Sequence, residues 1–267
     1  MRMNGEAWLR REVVRIGRML HTREYVAATD GNISVRLNDH QLLATPSGAC
    51  KGMLEPNDLV VVDMEGQLAG RQRCKRCVSS EIGMHLLIYR LRPDVKAIVH
   101  AHPPTATGFA AAGIALDEPL IAEVVLALKS IPLARYATPG TDELQDTLAP
   151  LVPEHDAILM ANHGVVAYGS DLMRAYLNME VVEHFAQIAL VASKVGRSNP
   201  LPPEEVSRLL SLREKYCRLA APRQVEEESP VKRGREAVRT MLARLMDSSG
   251  LVRTFLGITL IAANFAG

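Results

Sequence analysis

Residues 76–104 read RCVSSEIGMHLLIYRLRPDVKAIVHAHPP. Ser79, Ser80 and Glu81 stand near the start, and His100 and His102 close an apolar run near the end. Glu81–Leu91 reads as a helix with Ser80 placed as its N-cap, and Pro93 stops it. Ala97–His102 reads as a strand. Residues i and i+2 of a strand share a face, so His100 and His102 project together while Ala101 faces away. Two imidazoles side by side at a strand end make two-thirds of a three-histidine metal site.

The flanking chain mixes the same two element types. Leu9, Val13, Ile16 and Leu20 recur at helical spacing, and that helix is expected to end near His21–Arg23. Asp30-Gly31-Asn32 is turn chemistry before an alternating strand through Ile33, Val35 and Leu37. Asn38-Asp39 turns the chain into QLLATPSG, a second strand ending at Pro46-Ser47-Gly48, so the pair reads as a hairpin. Asp58–Met64 is another strand, closed at Gly66. Downstream, Thr105–Ala112 is a short helix ended by Gly113, and Pro119–Leu128 is helical. IPLARYATPGT is a strand running into a loop, Thr141–Leu151 is a helix, and Ala157–Ala161 is a buried strand ending at Asn162-His163-Gly164. Ser170 or Asp171 caps a long helix that Gly196 stops, and Pro203–Leu219 is a last helix with an acidic first turn. Hairpins coexisting with crossovers predict an α/β fold with a mixed, largely antiparallel central sheet covered by helices on both sides. A doubly wound parallel sheet would alternate its elements strictly.

The 267 residues suffice for one sizeable domain with its own core, here expected over residues 1–221. Residues 222–267 change character. Gln224–Ser229 is an acidic linker, Val231–Asp247 is arginine-rich with one apolar face, and Leu251–Phe265 is mostly apolar. This part is expected to be an accessory extension, helical or partly disordered; a helical hairpin on a neighbour or a membrane-surface anchor are the other readings. The apolar run near Phe255–Phe265 is too short and interrupted for a membrane span. MRMNGEAWLRREVVRIG lacks the apolar run of a signal peptide. A net charge of +1 and 4% aromatic residues argue against nucleic acid as a partner. Four cysteines are too few for a disulfide scaffold and fit a reducing cytoplasm. Cys74 and Cys77 form a lone CxxC, expected to be two thiols of a loop with no dedicated function. Lys51, Lys96 and Lys129 lie in no motif that suggests a desolvated amine and are expected at the surface. Tyr136 is expected to be structural.

A third histidine, His163, also ends an apolar strand and precedes a glycine. Three strand-end histidines can bind Zn²⁺ and leave a position open for a substrate oxygen. Spacing alone fits equally well histidines that only hydrogen-bond in a core. The segments GNISVR, TPSG, SSE, VHAHP, YATPGT and NHG occur in this order. Together they resemble the class II, metal-dependent aldolase/adducin family, in particular its L-fuculose 1-phosphate aldolase type, over roughly Arg11 to Tyr216.

The resemblance implies roles for these residues. His100, His102 and His163 would bind the metal, Zn²⁺ with Mn²⁺ or Co²⁺ as alternatives. Glu81 would carry the proton and complete the metal site when substrate is absent. Gly31, Asn32, Ser47, Gly48, Ser79 and Ser80 would bind the substrate phosphate, and converging neutral donors near glycine suit a dianion without a lysine clamp. The implied reaction is retro-aldol cleavage of a ketose 1-phosphate, such as L-fuculose 1-phosphate or 5-deoxyribulose 1-phosphate, to dihydroxyacetone phosphate and an aldehyde. The metal would act as Lewis acid on an enediolate. The family's second acid is a tyrosine of a neighbouring subunit, in the region here read as LDEPLIAEVVLAL. That segment offers Glu123 instead, and Tyr216 resembles the family's C-terminal tyrosine. The implied assembly is a homotetramer with interfacial sites. Sugar-phosphate epimerases, decarboxylases and dehydratases share the fold, and an adducin-like binding module is a reading of another class.

Overall fold

Seven strands and seven α-helices are formed by residues 5–69 and 77–220, which the computed structural model describes. Helix α1 (Gly5–Thr22) precedes the hairpin β1 (Asn32–Asn38) and β2 (Gln41–Ala44). Short 3₁₀ turns at Lys51–Met53 and Pro56–Asp58 lead into β3 (Val60–Asp63). Then come α2 (Ile82–Leu91), β4 (Ala97–Ala101), α3 (Pro104–Ala111), α4 (Ala122–Leu128), β5 (Leu133–Ala134) and α5 (Asp142–Leu148). The series ends with β6 (Ala157–Met160), β7 (Gly164–Gly169), α6 (Leu172–Val195) and α7 (Pro203–Ala220). Described residues up to Arg218 belong to one compact unit. The extension expected at 222–267 lies outside the described residues, as do residues 70–76 with Cys74.

The strands form one sheet in the order β3-β2-β1-β4-β7-β6-β5. All neighbours are antiparallel except β5 and β6. The period of two then sorts side chains into two cores. On β4, Ala97, Val99 and Ala101 face a core shared with α1, α3, α4 and α6. Ile98 faces a second core under α2 and α5. Strand β7 divides the same way, Val165 and Ala167 to the first core and Val166 and Tyr168 to the second. The mixed sheet with helices on both sides is therefore the fold of this chain. No described helix is long and apolar enough to cross a membrane.

Strand β7 has no counterpart in the sequence reading, although it sits between β4 and β6. Its residues Val165–Tyr168 are all buried, so a strand covered on both faces shows no alternation. The turn before it is short, with Met160 already paired to Gly164, and Asn162 takes a φ of 54° to close it. Other differences are shorter elements: α4 starts at Ala122, β3 at Val60, and β5 has two residues. Asp171 is the cap of α6, its carboxylate accepting from the Arg174 backbone N–H at 2.8 Å. Ser80 is not the cap of α2. That position belongs to Glu81, and no side-chain cap bond is made there.

Between α2 and β1 lies a buried polar seam. Ser34 Oγ is 2.6 Å from His85 Nδ1 and 3.0 Å from the Tyr89 hydroxyl. Ser34 is fully buried, and His85 and Tyr89 are each 2% exposed. Burial pushes the His85 imidazole down to about 3, so it is neutral at ordinary pH.

Two predictions follow from this frame. Gly31 has a φ of +68°, and a Cβ there would lie 2.5 Å from the His100 carbonyl oxygen. Gly48 has a φ of +66° with open space around a Cβ. Gly48→Ala should cost the left-handed strain alone, about 1–2 kcal/mol, and Gly31→Ala distinctly more. Equal shifts in urea midpoint for the two variants would contradict the clash. The unfolded chain protonates a histidine at about 6.5, well above the folded value of His85. Between those values the unfolded state holds more protons, so stability should fall as pH drops, by up to about 1.4 kcal/mol per unit from this group. Urea titrations of the metal-free protein at several pH values should show that slope, and His85→Leu should flatten it.

Candidate active site

His100 lies in the middle of the sheet, paired across to Asn32 on β1 and Val166 on β7. It is fully buried, and its Nδ1 is 2.9 Å from the Val165 carbonyl oxygen. A carbonyl only accepts, so Nδ1 carries a proton, and Nε2 is the nitrogen turned toward His102 and Glu81. His102 follows the end of β4. Its backbone N–H donates to the Tyr25 carbonyl at 2.9 Å, its Nε2 stands 3.2 Å from His100 Nε2, and its Nδ1 lies 3.5 Å from Asp30. His163 enters from the β6–β7 turn. The ring centroids lie 4.8 to 5.2 Å apart, and one nitrogen from each ring falls within 4.8 Å of the others. Gly164 is needed beside His163, because a Cβ would strike the His102 ring and lie 2.7 Å from the Ala101 carbonyl oxygen.

Glu81 completes this group from the opposite element. Its Oε1 is 3.1 Å from His163 Nε2 and its Oε2 is 3.4 Å from His100 Nε2. The carboxylate that could have capped α2 is turned to the imidazoles instead. Burial pushes the Glu81 carboxyl up, but His100 and His163 pull it further the other way, well below the usual carboxylate range. His102 is pushed down to about 4 by burial, with His100 and His163 adding to the effect.

The group has the donor chemistry of a divalent-ion site. His100 and His102 bring two ring nitrogens to 3.2 Å, a contact that needs a proton or a cation between them. Glu81 Oε1 and His163 Nδ1 are buried without a hydrogen-bond partner among the described residues. Three imidazoles and a carboxylate oxygen suit Zn²⁺ in a tetrahedral set. His100, His102 and His163, with Glu81, are the residues that could hold it.

The small polar residues gather next to this group. Asn32 Nδ2 donates to Glu81 Oε2 at 2.7 Å and to Ser79 Oγ at 3.4 Å. Ser79 Oγ accepts from the Glu81 backbone N–H at 3.3 Å. The Thr45–Gly48 loop is tied to the same segment: the Ser47 backbone N–H donates to the Cys77 carbonyl at 3.0 Å, and Pro46 bridges to Val78. Ser47, Gly48 and Ser80 are exposed, and Gly31 precedes β1 beside the His100 carbonyl. The Asn32 amide is thus directed at Glu81 and Ser79, where the sequence reading gave it to phosphate alone.

Two residues of the site escaped the sequence reading. Lys51 is buried, 2% exposed, and not at the surface as expected. Its ammonium donates to the Thr29 carbonyl at 2.6 Å and the Ala49 carbonyl at 2.8 Å, tying the turn before β1 to the loop after β2. Burial pushes it down to about 8. No local pattern distinguishes it from a surface lysine. His85 is the other, and it carried a signal: Glu81, His85 and Tyr89 repeat at four-residue spacing, one stripe of α2. His85 Nε2 is in hydrogen-bond contact with Asn32 Oδ1.

The remaining candidates lie elsewhere. Glu123 is exposed at the start of α4 and lines a groove with Arg23, Tyr25, Arg174 and His184. No described contact joins it to the three histidines within this chain. Tyr216 belongs to α7, and its side chain lies outside the description. Tyr136 is 57% exposed and does not brace the core, contrary to expectation. Cys77 is an exposed free thiol.

Comparison with known proteins agrees with the fold and the motif order. The sequence profile of the Class II Aldolase and Adducin N-terminal domain matches residues 11–190. A 3-oxo-tetronate 4-phosphate decarboxylase of Escherichia coli O6:H1 is 36% identical over 192 residues, 70% of this chain and 88% of the relative. An L-fuculose phosphate aldolase of Methanococcus maripaludis is 34% identical over 183 residues, 68% of this chain and 96% of the relative. Among solved structures, an L-fuculose 1-phosphate aldolase superposes with a TM-score of 0.71 at 32% identity, covering 78% of this chain and 95% of that one. With the profile spanning most of its length and relatives above 30% identity aligned nearly end to end, the chain belongs to the class II aldolase and adducin family.

Proposed function

We propose that this chain is a divalent-metal-dependent aldolase. It cleaves a ketose 1-phosphate, of the L-fuculose 1-phosphate or 5-deoxyribulose 1-phosphate kind, to dihydroxyacetone phosphate and an aldehyde. The observation that carries the reading is the meeting of Glu81 with His100, His102 and His163 beside a cluster of small polar residues. His100, His102 and His163 would hold Zn²⁺, or Mn²⁺ or Co²⁺, which would supply Lewis-acid stabilisation of the negative charge left when the carbon–carbon bond breaks.

The chain's own residues do the rest. Gly31, Ser47, Gly48, Ser79 and Ser80 hold the phosphate with backbone N–H and hydroxyl donors, and the phosphate end fixes the sugar against Glu81. Glu81, which would also complete the metal site in the absence of substrate, moves the proton to and from the carbon that keeps the electron pair. Asn32 holds the Glu81 carboxylate through its NH₂ group while it does so. The hydroxyl on the departing aldehyde needs its own acid–base group. Glu123 or Tyr216 of a neighbouring subunit fills this role in a homotetramer with interfacial sites, and the exposure of Glu123 suits it. In this reading residues 1–221 are the catalytic domain, 222–267 are an accessory extension, and the enzyme works in the cytoplasm.

The decarboxylase relative supports a second reading. Loss of carbon dioxide from a phosphorylated 3-oxo acid also leaves an electron pair beside a carbonyl, the same demand on Glu81 and the metal. It needs no acid on the departing side, because carbon dioxide leaves without a proton.

A panel of ketose 1-phosphates and phosphorylated 3-oxo acids separates the readings. Dihydroxyacetone phosphate released together with an aldehyde from a ketose 1-phosphate, stopping on complete metal removal and returning with Zn²⁺, is the expected result. Release that survives metal removal contradicts the class II reaction, while carbon dioxide and a ketose phosphate from the 3-oxo acid, with no aldehyde from any ketose 1-phosphate, select the decarboxylase. Glu81→Gln should lower kcat by about 10²–10⁴-fold with one metal ion still bound per chain by elemental analysis. A kcat close to wild type would remove Glu81 from the proton transfer.

A further inference from the structure

We propose that His85 is a positioning residue, whose neutral Nε2–H tautomer holds the Asn32 amide with its NH₂ group toward Glu81 and Ser79. The proposal rests on the reading of Glu81 as the proton carrier. It starts from an ambiguity in Asn32 itself. A carboxamide has two ends of nearly equal shape, one that accepts and one that donates. Turned over, Asn32 would set its oxygen against Glu81 Oε2 at the present 2.7 Å contact, acceptor against acceptor. The carboxylate alone therefore favours the NH₂ end. The other end must then find a donor in a buried place, because Asn32 is only 5% exposed.

His85 Nε2 is that donor. An imidazole that donates from Nε2 while neutral must accept at Nδ1. Ser34 Oγ, 2.6 Å away, supplies the proton. Ser34 then accepts from the Tyr89 hydroxyl at 3.0 Å. Each group in the series Tyr89, Ser34, His85, Asn32, Glu81 thus has one role, with every hydrogen bond pointing toward the carboxylate. Reversing His85 would leave Asn32 Oδ1 facing a bare ring nitrogen, and turning the amide to answer it would set its oxygen against the Glu81 carboxylate. Burial keeps His85 neutral, so a doubly protonated ring does not compete. The hydrogen-bond partners of His85 are Asn32 and Ser34, and no described hydrogen bond joins it to the three histidines. The helix supplies the register. Glu81, His85 and Tyr89 are spaced one turn apart, so α2 presents the carboxylate and both supporting groups along one line toward β1.

The test has a spectroscopic arm and a kinetic arm. In nitrogen NMR of the full chain, with and without Zn²⁺, His85 should show a protonated Nε2 and a bare Nδ1. A protonated Nδ1 would overturn the proposal. His85→Leu should lower kcat by about 10–100-fold with the metal stoichiometry unchanged. His85→Gln, whose amide can still donate to Asn32, should recover part of the loss. In an Asn32→Ala background, His85→Leu should cost little more, because the group it acts through is gone. An equal loss in both backgrounds, or an unchanged kcat in folded His85→Leu, would also overturn it. Should His85→Leu fail to fold, Ser34→Ala carries the question: loss of the Nδ1 donor should mix the two tautomers, and a spectrum identical to wild type would count against the series. A wild type that cleaves none of the phosphates tested would refute the proposed reaction, while the tautomer measurement would still decide the role of His85.

Discussion

The contact of the Glu81 carboxylate with the imidazoles of His163 and His100, at 3.1 and 3.4 Å, is the constraint that most of the structure serves. A carboxylate in a mostly buried place is tolerable only with partners that favour its charge. The carboxylate and its three partners come from four separate parts of the chain. β4 brings His100, the β6–β7 turn brings His163, β1 brings Asn32, and the N-cap of α2 brings the carboxylate. The central sheet order places β1, β4 and β7 side by side, which lets these groups meet. Gly31 and Gly164 are glycines for the same reason, since each lets a ligand-bearing segment approach a neighbouring backbone.

Much of this was legible in the sequence because it depends on short-range rules. The His-x-His pair is a consequence of strand period, and the glycine turns mark the strand ends. The hairpin β1–β2 announced itself through Asn38-Asp39. What was hidden depends on tertiary burial. Strand β7 is apolar on both faces and follows β6 after a short turn, so it carried no alternating pattern. Ser80 looked like a cap because hydroxyls prefer that position. The structure gives the position to Glu81, whose side chain has stronger partners elsewhere. Lys51 looked like a solvated lysine because nothing local records that two carbonyls, of Thr29 and Ala49, close over its ammonium.

The family relation gives these residues a chemical context without selecting a reaction by itself. Relatives at similar identity are named for an aldol cleavage and for a decarboxylation. Both break a carbon–carbon bond next to a carbonyl of a phosphorylated substrate. A constellation that places one proton carrier beside a potential Lewis-acid site is suited to either. What separates the two is the group that departs: an aldehyde, whose hydroxyl must give up a proton, or carbon dioxide, which carries none.

Helix α2 joins two kinds of order that proteins usually keep apart. Its inward residues Met84, Leu86 and Ile88 belong to the apolar core shared with α5 and the sheet, while Glu81 at its N-terminus belongs to the site. The helix is stiff over its three turns, so a small axial or rotational adjustment of its core side is carried to the carboxylate almost undiminished. Methylene-sized changes in that core would therefore act as fine adjustment of the distance between a carboxylate and two imidazoles. Drift in an apolar interior, usually silent elsewhere, would in this molecule shift Glu81 against its imidazoles without altering any residue of the polar cluster.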